Sequence, residues 1–307
     1  MAEISIAQAA FAGFGILRRK PWAPLVWSLL YAGILGALVV YLGGAFIQAV
    51  GKLVTLSKGG QTPSPQLLIG LFGSIIGGYF LMLIVFWLLG AVINMAVVRA
   101  VMAPEASAFA YLRLGRDELW LMLANFILFI LYTLVSTAMA IPNVLISALL
   151  LTAVPRAFAP FITLPFQLVT WAVTIWLGLR FCMVAPMIFA DRKFRLFESW
   201  SFTRGRVGRL FLVGLVMVAV SVGLYLVLTA IGFAVGVPMF TQLANSMTAQ
   251  AFFSQTPAQV WRQVEPFIVL YIVLIWVGST VLFPLFFAPW PEVYRQLKGG
   301  ELAATFS

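Results

Sequence analysis

The side chains of this sequence that could do chemistry are chiefly arginines, because the usual catalytic and metal-binding types are scarce. The 307 residues include no histidine, one cysteine (Cys182) and nine acidic residues. Histidine is the commonest general base near neutral pH and the commonest metal ligand. A single cysteine can form neither an intrachain disulfide nor a thiolate cluster. With no nucleophile–base–acid set and no glycine-rich phosphate loop before a lysine, we predict no enzyme activity, no metal site and no cofactor.

Arg180 is the one arginine inside an apolar segment, which continues to Ala190. An arginine within a span costs at least ~2.5 kcal/mol on insertion scales and usually faces a bundle interior or a wet cavity. It could bind an anionic headgroup or substrate. Alternatively, it could reach the nearer membrane surface or donate hydrogen bonds to carbonyls freed near Pro186. About 15 Å of helix separates Arg180 from Ala190, which disfavours the reach to the surface; the other interpretations stay open.

Three basic segments interrupt the apolar sequence, and we call them elbows: residues 1–21 (elbow 1), 99–118 (elbow 2) and 190–207 (elbow 3). Each connects a short apolar-aromatic stretch to a long hydrophobic segment. Elbows 1 and 2 match at a shift of 98 residues, which pairs Phe11 with Phe109. Elbow 3 matches elbow 2 at a shift of about 90 residues. A repeat with so long a period indicates a unit of architecture.

The elbows have the composition of lipid-contacting segments. A helix with an apolar-aromatic face and arginines at its end suits the headgroup region of a membrane. The N-terminus of the span that follows would add its dipole to the attraction for a phosphate. The alternative is that these basic residues only anchor and orient the chain. The candidate lipid- or anion-binding residues are Arg18, Arg19, Lys20, Arg113, Arg116, Arg180, Arg204, Arg206 and Arg209.

The composition of the chain indicates that the apolar segments between these elbows lie in a membrane. The chain is 63% hydrophobic and 9% charged, with a mean hydropathy of +1.06, whereas about 25% of the residues in a soluble domain are charged. A span needs about 20 mostly apolar residues. We therefore predict an all-α polytopic membrane protein with six transmembrane helices, at residues 22–48, 67–98, 119–139, 163–189, 208–236 and 266–289.

Lysine and arginine counts predict the orientation, because these residues concentrate in cytoplasmic loops. The three elbows, the C-terminal tail and Arg209 at the mouth of its span contain fourteen of them, against four in the other connections. We therefore predict that both termini are cytoplasmic. The other connections contain Lys52, Lys58, Arg156 and Arg262.

Each predicted repeat unit is an interfacial helix followed by a helical hairpin. Two spans per unit give all units one orientation, so the repeat is parallel, unlike the inverted repeats of many transporters. The single membrane domain, 1–307, divides into units at about 1–98, 99–189 and 190–298, with a short tail at 299–307.

Two connections on the opposite side could form helices in the membrane interface. One is the apolar, proline-containing segment 142–162, and the other is the mostly polar segment 241–265. Glu265-Pro266 is expected to open the sixth span, since proline suits the first helical turn and an acid there suits the dipole.

A resemblance to a known family covers the C-terminal half, and extends to the first half through the internal repeat. Glu198–Arg206, followed by Leu210-Phe211, resembles the signature of a broad group of uncharacterised bacterial inner-membrane proteins. That group is similar to the membrane domain of glycerophosphoryl diester phosphodiesterases. Tyr294–Leu297 resembles the family's closing motif, whereas Val207-Gly208 departs from the aromatic residue that the family often has there. The resemblance implies a six-span helical domain in the bacterial inner membrane; phosphodiesterase activity belongs to fused catalytic domains and is not implied.

These features predict a non-catalytic inner-membrane protein that contacts anionic lipid, as a scaffold or as an accessory subunit of a membrane complex. Its partners would be membrane lipids and a protein of that complex. The net charge of +10 is explained by residues beside the spans, so we predict no nucleic-acid partner. One alternative is a transporter or permease for an anionic or lipid-like substrate that uses Arg180, and another is an enzyme that acts on lipid.

Overall fold

A computed structural model of the chain describes residues 4–60, 62, 64–153, 159–246 and 256–305. These residues form helices joined by short turns, and no β-strand occurs among them. The α-helices in this part of the chain are α1 (Ile6–Ala10), α2 (Ala12–Arg19), α3 (Trp22–Lys58), α4 (Pro65–Met102), α5 (Arg116–Ala153), α6 (Ala159–Phe181), α7 (Val184–Asp191), α8 (Glu198–Phe202), α9 (Val207–Ser246), α10 (Pro257–Phe287) and α11 (Pro289–Thr305).

Six helical segments in the described part of the chain are long and apolar enough to cross a membrane, which confirms the predicted class of polytopic helical membrane protein. Helices satisfy every backbone hydrogen bond within the segment, which the hydrocarbon interior demands. The segments are Trp22–Leu56, Pro65–Met102, Ala108–Ala148, Thr163–Asp191, Val207–Pro238 and Ala258–Gly299.

The long helices extend further than hydropathy predicts. The described part of segment 142–162 forms no separate interfacial helix: residues 142–153 continue α5, with Pro142 inside it. Residues 241–246 likewise complete α9, and residues 247–255 of the other proposed interfacial segment lie outside the described residues. Pro257 occupies the first turn of α10, so Pro266, expected there, lies inside the helix.

Prolines mark a break in the fourth and the sixth span. Cys182 and Met183 form a turn between α6 and α7, and Pro186 lies in the first turn of α7. Because proline has no N–H to offer the carbonyl four residues earlier, the helix cannot continue regularly through Cys182. At the second break α11 begins with Pro289, directly after Ala288, in the position where the missing N–H costs least.

The elbows differ in local structure. Elbow 1 contains α1 and α2, and elbow 3 contains α8, in accord with short helices there. Elbow 2 differs from the predicted interfacial helix, because residues 108–111 form a single 3-10 turn with left-handed backbone. A long helix begins directly after elbow 1, at Trp22, and within the last residues of elbows 2 and 3, at Arg116 and Val207.

The chain divides into two compact units. Unit 1 comprises Met1–Ala12, Gly90–Val216 and Phe287–Ser307, and therefore contains elbows 2 and 3 and both ends of the chain. Its buried core has two clusters. One includes Met95, Leu121, Ile188 and Leu196, and the other includes Met183, Leu210, Val293 and Leu297.

Unit 2 comprises Gly13–Leu89 and Met217–Phe286. Within it Ser28 Oγ and Thr280 Oγ1 share a hydrogen bond of 2.6 Å, and Ser28 is completely buried. Tyr31 packs edge-on against Phe283, with 5.0 Å between ring centroids. Polar and aromatic contacts of this kind hold helices together where lipid supplies no hydrophobic driving force.

Candidate functional site

A buried ion pair organises elbow 2. Arg99, in the last turn of α4, pairs with Glu118, in the first turn of α5, and both side chains are at most 5% exposed. Glu118 Oε2 also accepts the Gly115 N–H at 2.9 Å, which is the glutamate half of a capping box. Arg99 Nη1 donates to the Tyr111 carbonyl at 3.0 Å. Arg99 therefore connects the end of α4 both to the elbow and to the start of α5.

The turn in elbow 2 is strained. Phe109, Ala110 and Tyr111 have φ angles of 51°, 57° and 63°, a conformation that costs roughly 1–2 kcal/mol per residue for side chains other than glycine. Tyr111 is buried and its Oη donates to the Pro104 carbonyl at 2.8 Å. Phe109, in contrast, is 87% exposed.

Elbow 3 is fastened to Arg180. Ser199 Oγ donates to the Arg180 carbonyl at 2.7 Å, and Arg180 Nη1 donates to the Trp200 carbonyl at 3.2 Å. The guanidinium also lies over the rings of Trp200 and Trp176, with 4.8 and 5.5 Å to their centroids. Arg180 is half-buried, and its Nε donates to no group among the described residues. Its carbonyl partner thus belongs to elbow 3 rather than to the backbone near Pro186.

A second ion pair connects elbows 2 and 3. Arg192 Nη1 lies 2.6 Å from Oδ2 of the buried Asp117. Trp120 and Phe194 pack beside it, with ring centroids 5.6 Å apart. The two elbows therefore meet at one end of unit 1.

The two ends of the chain meet in unit 1 as well. The buried Glu292 of α11 accepts a hydrogen bond from Gln8 Nε2 at 3.0 Å and pairs with Arg295 at 2.6 Å. The Ser5 N–H donates to Gln296 Oε1 at 3.0 Å. Helix α11 also packs against α7, which leads into elbow 3.

Five carboxylates of unit 1 are thus engaged by four arginines. Arg99, Arg192 and Arg295 have been described, and Arg195 pairs with Asp191 at 3.2 Å and with Glu198 at 3.0 Å. From the sequence, Arg99 is expected only to contribute to the orientation of the chain. The acid three residues after Gly115 was the one available clue to a role for Glu118.

The predicted site residues form a different set. In unit 1, Arg113, Arg116, Arg204 and Arg209 are exposed. Arg116 lies over Trp120 at 5.8 Å, and the half-buried Arg206 donates to the Phe202 carbonyl at 3.2 Å. In unit 2, Arg18 and Arg19 are exposed and Lys20 is half-buried, at and just after the end of α2.

In unit 1, Arg113, Arg116 and Arg204 expose guanidinium groups that have no carboxylate partner among the described residues. Among the described residues, none lies within ion-pair distance, 4.0 Å, of Arg113, Arg116 or Arg204. Arg116 opens α5 and Arg204 precedes α9 by three residues, so helix N-termini are close by. Guanidinium groups and helix N-termini both attract phosphate oxygens.

Comparisons of the chain with protein-family models, with curated proteins and with solved structures found no match.

Proposed function

We propose that this protein is a non-catalytic, multi-pass protein of the bacterial inner membrane that binds anionic lipid through its elbows, as a scaffold or as an accessory subunit of a membrane complex. One observation carries the proposal: acids take up one set of arginines and leave Arg113, Arg116 and Arg204 exposed beside the first turns of α5 and α9.

The ion pairs distinguish arginines that hold the fold together from arginines that are free of a carboxylate partner among the described residues. Arg99 and Arg192 engage the first-turn acids of α5, Glu118 and Asp117. These acids therefore contribute little repulsion toward an approaching phosphate. Each basic residue without a carboxylate partner contributes about 1 kcal/mol to the binding free energy at an anionic leaflet.

Arg180 supports the same proposal indirectly. A substrate site needs a guanidinium that is free to change partners, whereas Arg180 is held by the Trp200 carbonyl and by two indole rings. These contacts favour a structural role for Arg180 in fastening elbow 3. The scaffold interpretation therefore has more support than transport through an Arg180 site.

The location in the bacterial inner membrane, with elbows and termini in the cytoplasm, is part of the proposal. It is supported by the excess of lysine and arginine in the elbows and by the resemblance of residues 198–206 to inner-membrane proteins. An even number of spans supports a location of both ends of the chain on one side, in keeping with the contact between α1 and α11.

Lipid retention measured by native mass spectrometry tests the proposal. The variant Arg113→Gln/Arg204→Gln should lose bound phosphatidylglycerol or cardiolipin, with affinity lower by about thirtyfold for two residues. The matched control Lys52→Gln/Arg262→Gln removes the same charge from exposed residues in the opposite connections and should retain the lipid. Equal retention by the two variants would refute lipid binding by the elbows.

The scaffold role needs a separate readout. Crosslinking in native membranes, followed by purification, should recover a protein partner in fixed stoichiometry with this chain. Recovery of the chain with lipid alone would count against the scaffold or subunit role while leaving lipid binding intact.

A further inference from the structure

Each elbow exposes at least one phenylalanine, and elbow 1 also exposes Phe14, at 41%. Phe11 is 46% exposed, Phe109 is 87% exposed and Phe197 is 68% exposed. Phe11 and Phe109 are also the residues that the internal repeat brings into register. All three belong to unit 1, and an aromatic ring held in water at each of three elbows is unfavourable unless another apolar phase covers it.

The turn that contains Phe109 is held by hydrogen bonds from buried side chains. The left-handed turn is held by the Arg99 hydrogen bond to the Tyr111 carbonyl and by the Tyr111 hydrogen bond to the Pro104 carbonyl. Strained backbone persists where surrounding contacts determine it, and it concentrates at functional positions. Here the buried contacts hold the backbone of a turn whose most exposed side chain is Phe109.

The three phenylalanines lie at the same end of unit 1. Elbows 2 and 3 meet through Asp117 and Arg192. In elbow 1, Phe11 directly follows α1, which packs against α11, and α11 packs against α7 at the start of elbow 3. One flat apolar phase could therefore reach all three rings.

Exposed side chains on α5 indicate that this apolar phase is lipid. An apolar stripe follows one face of the helix up to elbow 2, as expected for a surface that faces lipid. Beyond it come Leu114, 71% exposed, and Phe109. The stripe consists of Leu134, Ile130, Phe126, Leu123 and Leu119.

The charges around the rings complement an anionic lipid surface. The exposed charged residues of elbows 2 and 3 that form no ion pair within the described part of the chain comprise four basic residues and one acid: Arg113, Arg116, Lys193, Arg204 and Glu105. Aromatic rings flanked by basic residues are typical of segments that insert at the boundary between headgroups and acyl chains.

We propose that the elbow phenylalanines, Phe11, Phe109 and Phe197, insert into the anionic leaflet that covers this end of unit 1. The proposal deepens the proposed function and rests on it for the choice of an anionic leaflet. The insertion itself rests on the exposure, the strained turn and the apolar stripe.

Site-directed fluorescence in nanodiscs tests the insertion. Cys182 is the only cysteine, and its Sγ donates to the Leu179 carbonyl at 3.1 Å, a bond that serine can also make, so Cys182→Ser provides the background. An environment-sensitive nitrobenzoxadiazole label is placed by Phe109→Cys or Phe197→Cys in discs of phosphatidylcholine and phosphatidylglycerol. Iodide quenches from water, and a nitroxide on the acyl chain quenches from lipid.

Two reference positions calibrate the measurement. Leu134→Cys, 63% exposed on α5, reports lipid, and Gly59→Cys, exposed in the turn after α3, reports water. Labels at 109 and 197 should lose emission to the lipid nitroxide and resist iodide, as the Leu134→Cys label does. Quenching by iodide to the extent seen at Gly59→Cys would overturn the proposal. Resistance to both quenchers would overturn it too, because it would indicate contact with protein.

The outcomes separate this inference from the proposed function. If the labels insert but Arg113→Gln/Arg204→Gln retains its lipid, insertion stands and anionic binding by the arginines fails. If the labels lie in water while that variant loses lipid, only the insertion fails. The two labelled positions belong to different elbows, so a folding defect at one leaves the other to decide.

Discussion

The arginines of unit 1 fall into two groups that differ in their immediate partners. Arg99 is buried against Glu118, whereas Arg113, fourteen residues later, is exposed with no carboxylate beside it among the described residues. In the sequence, both count equally as basic residues near a span, because a count of lysine and arginine takes no account of their partners. It could not reveal the burial of Arg99, because that depends on how α4, the turn and α5 pack together.

The Arg99–Glu118 pair yields a prediction at the residue scale. Arg99→Gln should lower the free energy of unfolding by about 3–5 kcal/mol, because it leaves a buried carboxylate without its counter-charge. Intrinsic tryptophan fluorescence during thermal unfolding in detergent measures this as a lower melting temperature.

The control is Arg195→Gln, whose pairs with Asp191 and Glu198 are more exposed and should contribute only ~0–1 kcal/mol. The double variant Arg99→Gln/Glu118→Gln should regain part of the loss, since it removes the stranded charge. If Arg99→Gln unfolds at the same temperature as Arg195→Gln, the buried pair does not stabilise elbow 2.

At the scale of elements, close approach between helices depends on individual glycines. A Cβ on Gly13 of α2 would lie 2.6 Å from the Pro284 carbonyl carbon and oxygen in α10, whereas a Cβ on Gly15 would meet nothing within 4 Å. The two glycines are neighbours on one helix, but only Gly13 has backbone against it. Gly13 therefore fixes how closely α2 and α10 approach within unit 2.

This contrast predicts opposite effects of two alanine substitutions. Gly13→Ala should destabilise the protein by about 1–3 kcal/mol, because the backbone of α10 has to move to admit the methyl group. Gly15→Ala should be neutral or stabilising by up to ~1 kcal/mol, since alanine is the better helix former and space is available. Thermal unfolding of both variants provides the comparison, and equal destabilisation by the two would contradict the packing of α2 on α10.

The elements themselves were predictable to different degrees. Hydropathy is sufficient for the six spans, because a run of about 20 apolar residues has few other stable environments. It fails at their ends, where α5 continues to Ala153 through Pro142. It also fails at Phe109–Tyr111, because a left-handed turn of residues other than glycine is determined by tertiary contacts such as the Arg99 hydrogen bond.

For the whole molecule, the orientation is the property that sequence and contacts constrain together. The contact between α1 and α11 fits an even number of spans, and the charge count predicts that the elbow side is cytoplasmic. Green fluorescent protein fused to either end should therefore fluoresce, as it does in the cytoplasm, whereas alkaline phosphatase fused to either end should be inactive.

A fusion within the turn at Gly59-Gly60 should give the reverse pattern. This internal control lies in the connection between α3 and α4, on the predicted opposite side. Active alkaline phosphatase at either terminus would invert the topology and would place the elbow arginines against the other leaflet.

The length of the helices has a consequence for the depth of the protein in its bilayer. Helices α5 and α9 have 38 and 40 residues, about 57 and 60 Å, against a hydrocarbon core of ~30 Å. No charged residue follows Glu118 in α5 or Arg209 in α9, so neither helix has a charged boundary at its far end. Bilayers of different thickness would therefore cover more or less of these same helices from the far side. The vertical position of these two helices would be fixed at their elbow ends, and a thicker or thinner membrane would leave the position of those ends at the membrane surface unchanged.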